Sequence, residues 1–312
     1  MARDSLVGIR ASEFPRGLTW LNSPELRLEN LRDKIVLIDF WTYSCVNCIR
    51  TLPYVKKWHE IYASLGLVVV GVHTPEFAFE RDPENVKRAA QGLGITYPVA
   101  LDSDYKIWNL FQNHWWPRKL LVGRDGKIIY DHIGEGEYEA TENAIREALG
   151  EEAIPVVRVA NQTETSPKVC FPQTPELYLG YDRGYIGNPE GFKRDAIVDY
   201  KDDKAPYKPD VVYLHGLWKV TPEYLEHARD SEDDYIILNF KGTEANIVAE
   251  KVGGEGKLKV VLDDKILATL TISHPQMLNL VKRSNADQVL LKLVPQDTGI
   301  RLYAFTFGGC VE

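Results

Sequence analysis

Long hydrophobic runs, basic clusters and cysteines are all scarce in this sequence. No stretch approaches the ~20 consecutive apolar residues of a membrane-spanning helix, so no transmembrane segment is expected. No cluster of Lys and Arg stands out and the net charge is -8, which argues against a nucleic-acid-binding protein. Four cysteines among 312 residues are too few for a scaffold held together by a disulfide framework.

The N-terminal residues also lack the pattern of a secretory signal. Arg3 is not followed by an apolar core segment. We therefore expect a cytoplasmic protein, or an extracytoplasmic one if a leader or membrane domain precedes this sequence. The composition is that of an ordinary globular protein, 44% hydrophobic and 26% charged. The length suggests two domains at ~150 residues each.

Strand and helix patterns alternate along residues 1–150. Residues 35–41, IVLIDFW, predict a short buried strand, and apolar residues then recur at helical spacing over 46–63. A second apolar run, LVVVGV, follows at 67–72, and the Asp-Gly pair at 125–126 marks the turn of a closing hairpin. Such alternation indicates a mainly parallel sheet with helices on both faces, so residues 1–150 are predicted to form one α/β domain.

The pattern changes after residue 150. Residues 151–170 are polar and contain prolines, which is typical of a linker. Over 171–312, short runs of alternating apolar and polar residues are separated by turn residues such as Gly253 and Gly254. These runs predict an all-β domain, either a sandwich or a jelly roll.

The stretch WTYSCVNCIRTLP, residues 41–53, places Cys45 and Cys48 directly after a predicted strand. A structural zinc site needs four ligands, and the other two cysteines lie far away in the second domain. A structural disulfide is also disfavoured, because so short a loop gives little chain-entropy stabilisation. A CxxC pair inside a strand–helix–strand pattern is instead typical of a redox motif.

In the redox interpretation Cys45 is the nucleophile, because the free N–H groups of the helix start stabilise its thiolate. Cys48 lies one turn further along, shielded beneath Cys45, and resolves the mixed disulfide. Asp39 is an acid within an apolar strand, and we predict that it exchanges a proton with Cys48. The alternative for Asp39 is a carboxylate that is hydrogen-bonded to the backbone.

Aromatic residues and a proline are expected to surround the cysteines. Pro117 directly precedes the hairpin strand, where a cis peptide facing the cysteines is expected. The backbone of Trp116 would then be free to pair with an extended substrate. Trp41 and Tyr43 are predicted to pack around the cysteine pair, where their aromatic surface is also suited to guiding a partner protein.

His73 and Glu76 follow the end of a predicted strand, the side on which such sheets build their sites. Substrate contact or assistance in proton transfer is one interpretation of these two residues. A capped loop without a catalytic role is the other interpretation, and the one we favour.

The segment DFWTYSCVNCIRTLP resembles the active-site segment of thioredoxin-fold proteins. The matching positions are Asp39, Trp41, Cys45, Cys48, Pro53 and Pro117. The helix and strand inserted at 83–101 resemble the TlpA/ResA-like, or redoxin, branch. Seven segments are similar to the C-terminal region of DipZ-type thiol:disulfide interchange proteins. In the first domain they are FWTYSCVNC, GVHTPEFAFE, ITYPVALD, WWP and GEGEYEATE, and in the second domain QTPELYLGY and YAFTFG.

The resemblance implies an α/β thioredoxin-like fold, a mixed sheet with flanking helices, followed by an all-β sandwich that resembles carbohydrate-binding modules. It implies a thiol-disulfide oxidoreductase that exchanges electrons with a disulfide-containing or dithiol protein partner or a small thiol. No metal or organic cofactor is implied. Val46 and Asn47 stand between the cysteines where thioredoxin has Gly-Pro, so the redox potential and the direction of electron flow do not transfer.

Two other functions stay open. The residues TYSC at 42–45 fit the T-x-x-C core of peroxiredoxins, so a thiol peroxidase is the runner-up, although Asp39 stands where that family has proline. A non-enzymatic role would instead use aromatic residues of the second domain to dock a glycan or a protein, although strand aromatics more often form a core. These aromatics are Tyr178, Tyr181, Tyr185, Tyr207, Tyr213 and Trp218.

Cys170 opens the second domain and Cys310 nearly closes it. Because the first and last strands of a sandwich often lie close together, a structural disulfide between them is one hypothesis, and two buried free thiols are the alternative. In the loop-entropy model such a bridge stabilises the fold by up to ~5 kcal/mol.

Overall fold

The structure is a computed structural model that describes residues 5–150, 169–202 and 206–311. The chain divides into two compact units, Met1–Thr163 and Glu164–Glu312, which we call the first and second units. The predicted linker, 151–170, lies outside the described residues except for its last two positions. No helix of the described stretches is both long and apolar enough to cross a membrane.

The first unit combines six strands with four α-helices. The strands are β1 Thr19–Leu21, β2 Ile35–Trp41, β3 Leu67–His73, β4 Val99–Leu101, β5 Arg118–Val122 and β6 Ile128–Ile133. The α-helices are α1 Val46–Tyr62, α2 Pro83–Gly92, α3 Lys106–Leu110 and α4 Tyr138–Leu149, with short 3-10 helices at Leu28–Leu31, Ala63–Leu65 and Ala78–Arg81.

The six strands form one mixed sheet in the order β1-β4-β3-β2-β5-β6. Strand β2 pairs with β3, and β3 with β4, in parallel, whereas the other three pairings are antiparallel. The fold class implied by the family resemblance is therefore confirmed. The sheet is less parallel than strand–helix alternation alone indicated, because β1 and the closing hairpin contribute the antiparallel pairings.

Strand β2 is central and buried along its whole length, which explains why its sequence is apolar at successive positions. Ile35, Leu37 and Trp41 pack into the core on one face, together with residues of α1, α2 and α4. The alternate residues Val36, Ile38 and Phe40 pack on the other face with α3. Asp39 falls between Leu37 and Trp41 on the first of these faces, the one that α1 covers.

The second unit is built almost entirely from strands. Its strands are β7 Val169–Cys170, β8 Leu177–Tyr178, β9 Ile197–Tyr200, β10 Val212–Val220, β11 Leu225–His227, β12 Tyr235–Lys241, β13 Glu244–Lys251, β14 Gly256–Leu262, β15 Lys265–Ile272, β16 Gln276–Lys282, β17 Gln288–Pro295, β18 Ile300–Gly308 and β19 Cys310–Val311.

Eleven of these strands join in one antiparallel sheet whose two halves share the long strand β10. Residues 212–215 of β10 pair with β12, and residues 216–219 pair with β9. The change of partner occurs at Gly216, whose φ of 89° is in the left-handed region. A side chain there would also collide with Asp234, 2.1 Å from an added Cβ. The two halves enclose one core that includes Leu214, Trp218 and Leu293, as expected for a β sandwich.

Cys170 and Cys310 are joined by a disulfide with an S–S distance of 2.06 Å. The two residues also face each other in the register of the short antiparallel pair β7 and β19. The bridge therefore ties together the first and last described strands of the second unit.

Candidate active site

Cys45 and Cys48 are the free cysteines of the described residues, and they lie where β2 gives way to α1. Cys45 is the N-cap residue of α1, with an extended backbone, and its Sγ accepts a hydrogen bond of 3.3 Å from the Cys48 N–H. A sulfur in this position lies at the otherwise unpaired amides of the first helical turn. Cys45 is half-buried and Cys48 is 1% exposed, so only one of the two sulfurs is offered to a partner.

Burial raises the pKa of the Cys48 thiol well above its usual value. The neighbouring Cys45 and Asp39 raise it further, and the backbone of Thr42 opposes them. Cys48 therefore needs a nearby base before it can act as a nucleophile.

Asp39 is the buried carboxyl group whose charge acts on Cys48. Its side chain is 1% exposed, and burial raises its pKa to about 7, with the charge of Lys119 opposing the rise. No described residue hydrogen-bonds its Oδ1 atom. The Oδ1 atom is therefore not held by the backbone, and proton exchange with Cys48 stays a prediction.

Lys119 is a site residue that the sequence analysis missed. It lies directly opposite Asp39 in the antiparallel register of β2 and β5, and its side chain is fully buried. Its Nζ donates to the Gly134 carbonyl at 3.2 Å and lies 5.7 Å from the ring centre of Tyr138. A charged lysine is seldom buried without a partner, so Lys119 within the apolar run RKLLV was the signal available in the sequence.

Glu80 is a second residue that the sequence analysis did not identify. It is fully buried, and its carboxylate accepts hydrogen bonds from two segments of the first unit. Oε1 receives the Thr42 hydroxyl and both the N–H (3.2 Å) and the hydroxyl (2.8 Å) of Ser44. Oε2 receives the N–H groups of Glu76 (2.6 Å) and Phe77 (3.0 Å). Glu80 thus fixes the loop that leads into Cys45 against the segment that follows β3.

The Trp116–Pro117 peptide bond is cis, and it directly precedes β5 beside the strand that leads to the cysteines. The Trp116 ring is half-buried, lies tilted by 37° against the Trp108 ring with centroids 4.3 Å apart, and donates its Nε1–H to the Thr74 carbonyl at 3.1 Å. Within the described residues, the Trp116 backbone N–H and carbonyl have no hydrogen-bond partner. A free peptide edge of this kind can pair with an extended chain.

The aromatic residues beside the cysteines are mostly internal. Trp41 is fully buried and Tyr43 is 4% exposed, so both pack within the unit and Trp41 offers no surface to a partner. His73 lies edge-on to Trp41 at 5.1 Å and stacks on Tyr43 at 5.6 Å. Burial lowers the pKa of His73 to about 3, so the imidazole is neutral. Glu76 is half-buried, and its backbone N–H contributes to the Glu80 cluster.

The aromatics of the second unit do not form one exposed platform. Trp218 is fully buried in the core and Tyr213 is 4% exposed, whereas Tyr185 is 60% exposed. Tyr178, Tyr181 and Tyr207 are half-buried and donate their hydroxyls to Glu176, Asp195 and Asp202, respectively. Across residues 5–150, 169–202 and 206–311, no group of three or more His, Cys, Asp or Glu side chains is arranged to hold a metal ion.

Two protein-family models match the chain. The model described as Redoxin matches residues 12–149, and the model described as Thioredoxin like C-terminal domain matches residues 174–308. The site residues Asp39, Cys45, Cys48 and Lys119 all fall within the first of these matches. The Redoxin match lies within the first unit, and the other match lies within the second unit.

Individual proteins are also similar to this chain. Protein DipZ of Mycobacterium bovis is 37% identical over 302 residues, which is 94% of this chain and 42% of that protein, so the chain spans less than half the length of this relative. The thiol-disulfide oxidoreductase YkuV of Bacillus subtilis is 30% identical over 132 residues, covering 42% of this chain and 88% of that protein. A crystal structure of a thiol-disulfide isomerase from Corynebacterium glutamicum is 23% identical, with a TM-score of 0.40, and covers 45% of this chain and 97% of that one.

Proposed function

The chain belongs to the redoxin family of thioredoxin-fold thiol-disulfide oxidoreductases, and we propose that it exchanges disulfides with a protein or small-thiol partner through Cys45 and Cys48. The observation that carries the proposal is the asymmetry of the pair, one sulfur half-buried at a helix N-terminus and the other fully buried near a carboxyl group with a raised pKa. An accessible sulfur suits attack on the partner disulfide, and a shielded sulfur one helical turn away suits the resolving step.

The reaction has two steps. The Cys45 thiolate attacks one sulfur of the partner disulfide, an S–S bond forms between enzyme and partner, and the other partner sulfur leaves as a thiolate. Cys48 then gives its proton to Asp39 and attacks the Cys45 sulfur. This attack forms the Cys45–Cys48 disulfide and releases the second partner thiolate. The partner is reduced by two electrons and the enzyme is oxidised by two; a dithiol partner runs the same steps in reverse.

The segment at Trp116 and Pro117 is the proposed docking edge. Its free backbone groups precede β5, which pairs with the strand that carries Asp39. An extended partner that pairs with this edge would hold its disulfide in a fixed position while Cys45 attacks. Main-chain pairing of this kind selects for an extended segment and not for a particular side chain.

Peroxide reduction receives less support from the geometry. Thr42 is fully buried and commits the only proton of its hydroxyl group to the Glu80 carboxylate. It is therefore not free to donate a hydrogen bond to a peroxide that approaches Cys45. The buried Cys48 beneath the helix start also suits the resolution of a mixed disulfide.

The proposal is tested by offering the reduced protein insulin and hydrogen peroxide in parallel assays. We expect catalytic insulin reduction with dithiothreitol as the electron source, loss of this activity in Cys45→Ser, and slow peroxide consumption. Rapid peroxide turnover without insulin reduction would contradict the proposal and favour a peroxidase.

A further inference from the structure

Three titratable side chains lie in a row across adjacent strands of the first unit. Lys119 on β5 is directly opposite Asp39 on β2, and on its other side it is directly opposite His132 on β6. Opposed residues of antiparallel strands project from the same face, with Cβ atoms about 5 Å apart. Asp39, Lys119 and His132 therefore share the face that α1 covers, and the row begins at the residue that faces Cys48.

The row runs from the centre of the sheet to its edge. Strand β2 is central and β6 is the last strand on that side. Asp39 and Lys119 are 1% and 0% exposed, whereas His132 is half-buried and reaches solvent. A proton that leaves Cys48 for Asp39 is enclosed by protein, and His132 is the titratable member of the row that meets solvent.

The environment of His132 suits a proton acceptor. Its Nε2 atom is buried without a hydrogen-bond partner among the described residues, while the backbone carbonyls of Gly134 and Glu135 interact with the ring. Burial lowers the pKa of His132, and the charge of Lys119 lowers it further, so the ring is neutral. A neutral ring whose proton faces the carbonyls carries its lone pair on Nε2.

Lys119 and His132 also converge on the same peptide group. The Lys119 Nζ donates to the Gly134 carbonyl at 3.2 Å, and that carbonyl interacts with the His132 ring. The acidic groups around the row are Asp39, Cys48 and Glu135, which act on Lys119, and Glu137, which acts on His132. The phenol of Tyr138 on α4 covers Lys119.

We propose that Lys119 and His132 carry the proton of Cys48 from Asp39 to the edge of the sheet. The inference rests on the proposed disulfide exchange and concerns its second step. Asp39 takes the Cys48 proton and passes it to Lys119 as the Lys119 ammonium gives a proton to His132 Nε2. The imidazolium then releases its Nδ1 proton to solvent and a ring flip restores the starting tautomer, so Asp39 and Lys119 regain their charges and one proton leaves for each resolving step.

A single turnover with 5,5'-dithiobis(2-nitrobenzoate) separates the two chemical steps. Attack by Cys45 releases the first nitrothiobenzoate anion, and attack by Cys48 on the mixed disulfide releases the second. Rapid-mixing absorbance measurements on the full chain at neutral pH follow both phases. Absence of a Cys45-dependent first release would defeat the proposed function itself, whereas the proton route concerns only the second release.

The variant His132→Asn keeps a donor for the loop carbonyls but removes the group that accepts and releases a proton. We expect the second release to slow by more than about tenfold while the first is unchanged, and added imidazole to restore the second release in proportion to its concentration. The control His59→Asn removes another half-buried imidazole with an unpartnered nitrogen, outside the row, and should leave both phases unchanged.

An unchanged second release in His132→Asn would overturn the route, and so would equal slowing of both phases, which indicates a structural role. If His132→Asn does not fold, His132→Gln provides the same comparison. The unmodified protein supplies an independent measurement: a second release that accelerates with imidazole concentration in the wild type would show that no internal route carries the proton.

Discussion

Asp39 and Lys119 face each other across the antiparallel strands β2 and β5, both buried beneath the helix that carries Cys48. The positive charge of Lys119 limits the pKa rise that burial imposes on Asp39. The pair thus sets the carboxyl group to change its protonation state near neutral pH, the range in which a resolving thiol must lose its proton.

Asp39→Asn should stabilise the first unit at alkaline pH. The folded-state pKa of Asp39, about 7, lies above the ordinary 3.8, so the folded state holds more protons between these values and stability falls as pH rises through that range. The variant removes this loss, so its free energy of unfolding should exceed that of the wild type by at most about 4 kcal/mol above pH 7. At low pH the two proteins should be equally stable. The buried charge left on Lys119 reduces the gain.

Urea unfolding followed by tryptophan fluorescence measures this effect, because Trp218 is the one tryptophan of residues 164–312 and six of the seven belong to the first unit. Asp104→Asn is the control, since that carboxylate is 68% exposed. A variant that loses stability relative to wild type as pH rises from 5 to 8 would show that ionised Asp39 stabilises the fold.

Glu80→Gln should destabilise the first unit. Backbone N–H groups are fixed donors to both oxygens of the Glu80 carboxylate. The N–H of Ser44 donates to Oε1, and the N–H groups of Glu76 and Phe77 donate to Oε2. The amide nitrogen of glutamine would therefore face at least one N–H group, leaving buried donors unpaired at a cost of about 1–3 kcal/mol. Thermal unfolding compared with Glu84→Gln, a carboxylate that is 73% exposed, checks this, and equal stability of the two variants would contradict it.

Loss of the Cys170–Cys310 bridge should destabilise the second unit and leave the chemistry of the first unit intact. The bridge joins residues 140 positions apart, and in the loop-entropy model it contributes up to ~5 kcal/mol. Calorimetry of the double variant Cys170→Ser with Cys310→Ser should show a lower unfolding temperature for the second unit. Insulin reduction by the same variant should persist. An unchanged calorimetric trace would show that the disulfide does not stabilise the second unit.

The local part of the site was predictable from sequence. Cys45, Cys48 and Asp39 lie within ten residues of one another, so a strand followed by a helix is enough to place them. The roles predicted for Asp39, Cys45 and Cys48 stay predictions. The two-domain fold class was also accessible, because apolar periodicity distinguishes strands from helices and the family resemblance specifies a mixed sheet.

The remote part of the site was not predictable in the same way. Lys119 and His132 join Asp39 only through the registers of β5 and β6, and Glu80 reaches Ser44 from a separate segment. Register depends on tertiary packing and not on local propensity.

Selective alkylation of the reduced native protein measures how far the two sulfurs of the CxxC pair differ in accessibility. The protein is treated briefly with iodoacetamide at neutral pH, quenched and digested, and the modification of each cysteine is measured by mass spectrometry. We expect Cys45 to be modified first while Cys48 remains a free thiol, since Cys45 is half-buried at a helix N-terminus and Cys48 is 1% exposed. Modification of Cys48 before Cys45, or of both at the same rate, would show that Cys45 is not the attacking sulfur and Cys48 not the shielded one.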